Sequence, residues 1–123
     1  MNPIINEDLL LGIDIGTQGV KGFLVDLRGR IVASAHIEHG SNYPNPDWCE
    51  HDMTRNWWEN PVRVIRELVA TEGLEASQIK GIGISGLYPA MGPTDGEGTP
   101  LRGAILYSDN RSVAEVEEVN QVM

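Results

Sequence analysis

The sequence predicts an α/β fold whose mixed sheet starts as a three-stranded antiparallel meander. Three observations carry this reading. Apolar or alternating runs at residues 9–15, 20–26 and 31–37 are separated only by short turn segments, Gly16-Thr17-Gln18-Gly19 and Leu27-Arg28-Gly29-Arg30. Helical periodicity begins only later, from Trp57. Two further apolar runs, 79–86 and 104–107, follow that helix and alternate with a crossing segment and a last helix-compatible stretch.

The first run, Leu9 to Ile15, is apolar on both parities until Gly16 stops it, which is the pattern of a buried strand. The glycines of the following turn suit backbone with φ > 0 or a close approach of chains. Residues 40–51 read as irregular, with Gly40, Pro44, Asn45 and Pro46, and Asp52 or Thr54 offers an N-cap. Apolar residues at 58, 62, 65 and 69 give the helix its predicted stripe. Pro61 either belongs to a first turn or kinks the helix, and Gly73 ends it. Residues 87–103 hold three prolines and four glycines, too many for a helix. Ser112 to Met123 is acidic and lacks a Gly or Pro stop, so the domain is expected to continue past it. Residues 1–8 read as an N-terminal extension.

Composition bounds the function. The 123 residues suit one small domain or a piece of a larger one, and a chain of this size buries only about two-thirds of its surface. A net charge of −9 without a Lys/Arg cluster argues against a nucleic-acid or anionic-membrane partner. Cys49 is the only cysteine, so no internal disulfide is expected and a cytoplasmic location fits. The N-terminus has neither a basic n-region nor a long apolar run, so neither a signal peptide nor a membrane span is expected.

The strongest chemical signal is Gly12-Ile13-Asp14-Ile15-Gly16-Thr17-Gln18-Gly19. A carboxylate near the end of a buried strand can hold magnesium directly or through its waters, and a Gly/Thr turn can aim N–H groups and a hydroxyl at phosphate oxygens. The plain alternative is a tight hairpin with a capping Asp. Two other motifs carry less. Gly81-x-Gly83-x-x-Gly86 fits a dinucleotide fingerprint on paper, but its glycines fall within a strand, and Pro89, Pro93 and Pro100 forbid the helix that must follow. Cys49-Glu50-His51-Asp52 lacks paired ligand spacing and reads as a solvated helix start. His36 and His39 are expected on the surface at a strand end, and at least one of Trp57 and Trp58 against the sheet.

Four collinear segments resemble the FGGY carbohydrate kinases. Leu-Leu-Gly-Ile-Asp-Ile-Gly-Thr-Gln-Gly-Val-Lys at 10–21 is similar to that family's first phosphate motif. Asn45-Pro46-Asp47-Trp48-Cys49-Glu50-His51-Asp52 with Trp57-Trp58 resembles its proline, aromatic and acidic segment. Gly81 to Gly86 resembles the strand entering the sugar site. Tyr107-Ser108-Asp109-Asn110-Arg111 resembles a Trp-x-Asp-x-Arg element. The nearest subgroup is the xylulokinase-like one, although Leu87-Tyr88-Pro89 stands where xylulokinases carry Gln-Met-His.

The resemblance implies an actin-like ATPase, ribonuclease H-like fold, with residues 9–123 as the first part of an incomplete N-terminal lobe. It implies ATP-dependent phosphorylation of a sugar or polyol hydroxyl, with ATP and Mg2+ as cofactors. Asp14, Gly16, Thr17 and Gln18 would serve the nucleotide, and Asp14 the metal. Tyr88, Tyr107, Asp109 and Arg111 would serve the substrate, Asp109 and Arg111 either beside the sugar or as an ion pair closing a turn. The catalytic base would lie downstream of this chain. The implied partner is a small-molecule sugar. The piece alone is expected to be inactive and to self-associate, and a homodimer is one arrangement open to the full-length enzyme. A non-kinase actin-like ATPase and a non-catalytic binding domain are the alternatives.

Overall fold

The computed structural model describes residues 7–123 and divides them into two units, residues 7–40 with 54–87 and residues 41–53 with 88–123. In chain order the strands are β1 (Leu9–Ile15), β2 (Gly19–Asp26), β3 (Ile31–Glu38), β4 (Glu50–His51), β5 (Ile79–Gly86), β6 (Ala90–Met91) and β7 (Ala104–Leu106); the α-helices are α1 (Asn60–Val69) and α2 (Val113–Val122). Of the expected N-terminal extension, residues 1–6 lie outside the described residues. Glu7 and Asp8 precede β1, and Glu7 pairs with Arg30 at 3.2 Å.

The first unit contains the expected meander. Its sheet has the order β3-β2-β1-β5, with β1, β2 and β3 antiparallel and β5 parallel to β1. A parallel neighbour requires a crossover, and α1 lies in that connection. Alternation sorts the side chains onto two faces. One face carries Leu11, Ile13, Val20, Leu24 and Ala35, which are buried with Val64 and Leu68 of α1. Burying those two helix residues is worth about 1.5–3 kcal/mol each. Gly22 makes the close approach possible, because a Cβ there would overlap Val64 and lie 2.8 Å from Leu68 Cδ1. The opposite face carries Gly12, Asp14, Lys21, Phe23, Gly83 and Ser85 at paired registers.

The turn after β2 is built by Asp26. Its buried carboxylate accepts from the N–H groups of Arg28 and Arg30, both at 2.9 Å, and from Arg30 Nε at 2.6 Å. Gly29, at φ 81°, takes the left-handed position that glycine occupies without strain.

The helical segment corrects the predicted stripe. Residues Arg55–Glu59 form a widened π-type turn that runs directly into α1, and Pro61, which has no N–H to donate, follows it as the second residue of α1. Of the expected stripe, Val62, Ile65 and Val69 are half-buried and flank the most buried line. The buried residues are Asn56, Asn60, Pro61, Val64 and Leu68, while Trp58 is 70% exposed. Gly73, at φ 79°, follows the helix end as expected. All three glycines of the dinucleotide-like motif lie inside β5, which disposes of that reading.

In the second unit β4, β7 and β6 form a small antiparallel sheet in that order. Here a second expectation fails. Cys49, Glu50 and His51 are not a solvated helix start; all three are buried, and Glu50 and His51 form β4. Glu50 tolerates burial because Arg102 and Arg111 both donate to its Oε1, at 2.5 and 2.8 Å. Among the described residues, no helix is long and apolar enough to cross a membrane.

Candidate functional site

The turn Gly16-Thr17-Gln18-Gly19 lies where the carboxyl ends of the parallel pair β1 and β5 meet, with Ile15 opposite Gly86 and Leu87 N–H donating to Ile15 O at 2.9 Å. Ligands of α/β sheets characteristically bind at such strand ends. The turn is closed by Gly16 N–H donating to Gly19 O at 2.9 Å. Its glycines are demanded by space and not by a left-handed φ. A Cβ on Gly19 would lie 2.6 Å from Ile37 O and 2.7 Å from His36 Nε2, and one on Gly16 would lie 3.2 Å from Gly19 O.

Asp14 is exposed on the face opposite α1, one residue from the end of β1. Ser85 Oγ donates to its Oδ1 at 2.6 Å, a contact set by the parallel register Asp14↔Ser85. The other oxygen, Oδ2, faces the turn, 3.9 Å from where a Gly16 Cβ would stand. Lys21 is the antiparallel cross-strand neighbour of Asp14 on the same face. One oriented carboxylate, a cation and a glycine turn are thus gathered at one sheet end. Ser85 and Lys21 escaped the sequence reading as site residues. The alternation of Lys21 with Val20 and Gly22 marks its face, but only the β1–β5 register brings Ser85 to Asp14.

The remaining candidates lie in the second unit. Ala90 pairs with Leu106, so the start of β6 and the end of β7 share one end of that sheet. Tyr88 and Tyr107 flank this end, 90% and 57% exposed. Asp109 and Arg111 are inward-facing. Arg111 grips Asp109 with Nε and Nη2, both at 2.7 Å, and Cys49 N–H donates to Asp109 Oδ2 at 2.6 Å. The Arg111 guanidinium lies 4.0 Å from the Trp48 ring centroid, a cation–π contact. Its Nη1 is buried without a protein acceptor among the described residues. The hydrogen bonds from Arg111 outweigh the burial that would raise the Asp109 carboxyl, and with the Cys49 N–H they hold it far below the ordinary carboxylate range. Asp109 in turn raises Arg111. The Asp109 side chain is 2% exposed, so this pair anchors the turn that follows Tyr107. Among the described residues, no group of three or more His, Cys, Asp or Glu side chains is arranged to hold a metal ion.

Comparison with known proteins identifies the family. The model of the FGGY family of carbohydrate kinases, N-terminal domain, matches residues 9–123. The glycerol kinase of Haloferax volcanii is 36% identical over 112 residues, 90% of this chain and 22% of that protein. The crystal structure of xylulose kinase from Rhodospirillum rubrum superposes with a TM-score of 0.84 at 34% identity, covering 94% of this chain and 23% of that one. Plasmodium falciparum glycerol kinase, solved with ADP, gives a TM-score of 0.81 at 29% identity over 92% of this chain and 23% of that one. The chain spans about a fifth of the length of the curated relatives it matches. These neighbours place the fold in the actin-like ATPase class, as the sequence had implied. The chain belongs to the FGGY family of carbohydrate kinases, matching its N-terminal domain.

Proposed function

We propose that this chain is the opening part of the first lobe of an ATP-dependent kinase that phosphorylates a hydroxyl of a small sugar or polyol. The single observation that carries the reading is the Asp14 carboxylate, oriented by Ser85 and facing the Gly16–Gly19 turn at the end of β1. The likeness to glycerol and xylulose kinases supports a polyol or ketose acceptor, and the relative solved with ADP supports a nucleotide.

The residues fit a magnesium ion that keeps most of its waters, since such a site needs only one or two carboxylates plus substrate phosphates. With Oδ1 engaged by Ser85, Asp14 has Oδ2 for that role. The ion, when bound, neutralises phosphate charge. The chain's own contribution is positional: Gly16, Thr17 and Gln18 bring turn backbone to the phosphates, and Lys21 adds a positive charge beside Asp14. In the transfer, the bond from the γ-phosphorus to the β–γ bridging oxygen breaks and a bond to the acceptor oxygen forms. The hydroxyl proton leaves to a base outside this chain. Tyr88 and Tyr107 supply stacking surfaces for the acceptor, and Asp109 with Arg111 holds the turn after Tyr107.

The test is ADP release by the full protein with MgATP, with and without glycerol, xylulose and related acceptors. The reading expects release that depends on one of them. Release that ignores every acceptor would favour a non-kinase ATPase.

A further inference from the structure

His39 is the residue after β3, and it contacts the phosphate turn twice. Its backbone N–H donates to Gln18 O at 3.0 Å, and its ring Nε2 lies 3.0 Å from Gly16 O. A carbonyl oxygen can only accept, so Nε2 carries the proton. In the neutral ring Nδ1 is then an acceptor, and Asn60 Nδ2 stands 3.2 Å from it as the donor. Asn60 is 2% exposed and has no ready access to replacement water. One helical turn earlier the buried Asn56 donates to Gly40 O at 3.3 Å. Two asparagines on one face thus hold residues 39 and 40 against the helical segment.

We propose that His39 is a positioning residue for the phosphate turn and that Asn60 selects its tautomer. The peptide unit is planar and trans, so its C=O and N–H point in opposite directions. Drawing Gly16 O toward His39 directs the Thr17 N–H to the other side, and drawing Gln18 O does the same for the Gly19 N–H. The Gly19 carbonyl is occupied by Gly16 N–H. Carbonyl oxygens repel a phosphate and N–H groups attract it, so turning the Gly16 and Gln18 carbonyls toward His39 leaves the opposite side, with the Thr17 N–H, prepared for an anion. This inference rests on the reading of the turn as the nucleotide phosphate loop. It adds a residue just after β3, with a partner on α1, that acts through the turn backbone.

The experiment uses the full protein, with MgATP affinity and acceptor affinity measured separately by calorimetry. His39→Phe keeps ring bulk and removes both ring hydrogen bonds; His39→Gln keeps a donor for Gly16 O and an acceptor for Asn60. His39→Phe is expected to weaken MgATP about tenfold, with acceptor affinity unchanged, and His39→Gln to recover most of the loss. Imidazole nitrogen spectra of the wild type should show the Nε2–H tautomer, and Asn60→Leu should mix the tautomers and weaken MgATP. Wild-type MgATP affinity in folded His39→Phe overturns the proposal, as does an equal loss of both ligands or an Nδ1–H tautomer in the wild type. A wild-type protein that binds no MgATP removes the kinase reading itself, and this role with it.

Discussion

Replacing Asp14 by Asn separates a metal-facing carboxylate from a merely structural one. The structure makes the substitution clean. Asn Oδ1 can still accept from Ser85 Oγ, now 2.6 Å from Asp14 Oδ1, and the side chain is exposed, so no buried group is orphaned. What disappears is one negative charge facing the Gly16–Gly19 turn. Loss of one electrostatic partner of a developing charge costs about 3–4 kcal/mol, and exposure to water favours the lower end, roughly a hundredfold in kcat. Ser85→Ala keeps the charge and frees its orientation, at about 1 kcal/mol or fivefold. Steady-state kinetics, acceptor affinity and melting temperature on the same preparations make the assay. The expected pattern is a graded loss of kcat, Asp14→Asn far below Ser85→Ala, with acceptor affinity and Tm unchanged. Near-native kcat in folded Asp14→Asn would refute the reasoning, because the charge would then have no part in the transition state.

Other consequences follow from packing and charge. Gly22→Val forces a branched side chain against Val64 and Leu68 and should cost about 1–3 kcal/mol, read as a lower melting temperature; an unchanged Tm would contradict the tight β2–α1 approach. In the second unit, burial would raise the Glu50 carboxyl, but Arg111 and Arg102 together hold it below its ordinary value, and Asp109 is lowered further. Depressed carboxyls lend stability that is complete above the unfolded value and lost as pH falls through the folded one. The cluster should therefore be indifferent to pH between about 5 and 7 and loosen below about pH 4, followed through the Cys49 amide signal in NMR. Strengthening of that signal's protection on acidification would reverse the sign and refute the assignment. The 123-residue chain alone should show no acceptor-dependent ATP turnover and should self-associate through exposed apolar residues such as Ile82 and Ile84, visible as concentration-dependent sedimentation.

Much of the first unit was legible because its strands are long enough to show periodicity. β1, β2, β3 and β5 fall within a residue of the runs read from sequence. β4 and β6 were not, since two residues cannot display alternation. The helix was found, and its expected stripe at Val62, Ile65 and Val69 is half-buried, but the centre of its buried face was missed. That face is led by Asn56 and Asn60, and a search for apolar spacing passes over polar residues. His39 was read as a surface residue for a related reason: its partners, Gly16 O and Asn60, lie 23 and 21 residues away. The Asp109–Arg111 pair was foreseen as one of two readings because its members are two apart. Glu50 and Trp48 were not foreseen as its neighbours, being about 60 residues distant in the chain. Asp14 and its turn were visible as a motif, whereas Ser85 and Lys21 join them only through strand register.

The central claim is that this fold directs the γ-phosphoryl group of ATP to an organic hydroxyl. The most direct measurement follows that group itself, in a single turnover of the full protein with ATP labelled in its γ-phosphate and a saturating polyol or ketose. The account predicts that the label leaves ATP and appears on the acceptor, and that Asp14→Asn slows this appearance about a hundredfold. Label recovered only as inorganic phosphate, at the same rate with and without acceptor, would contradict it.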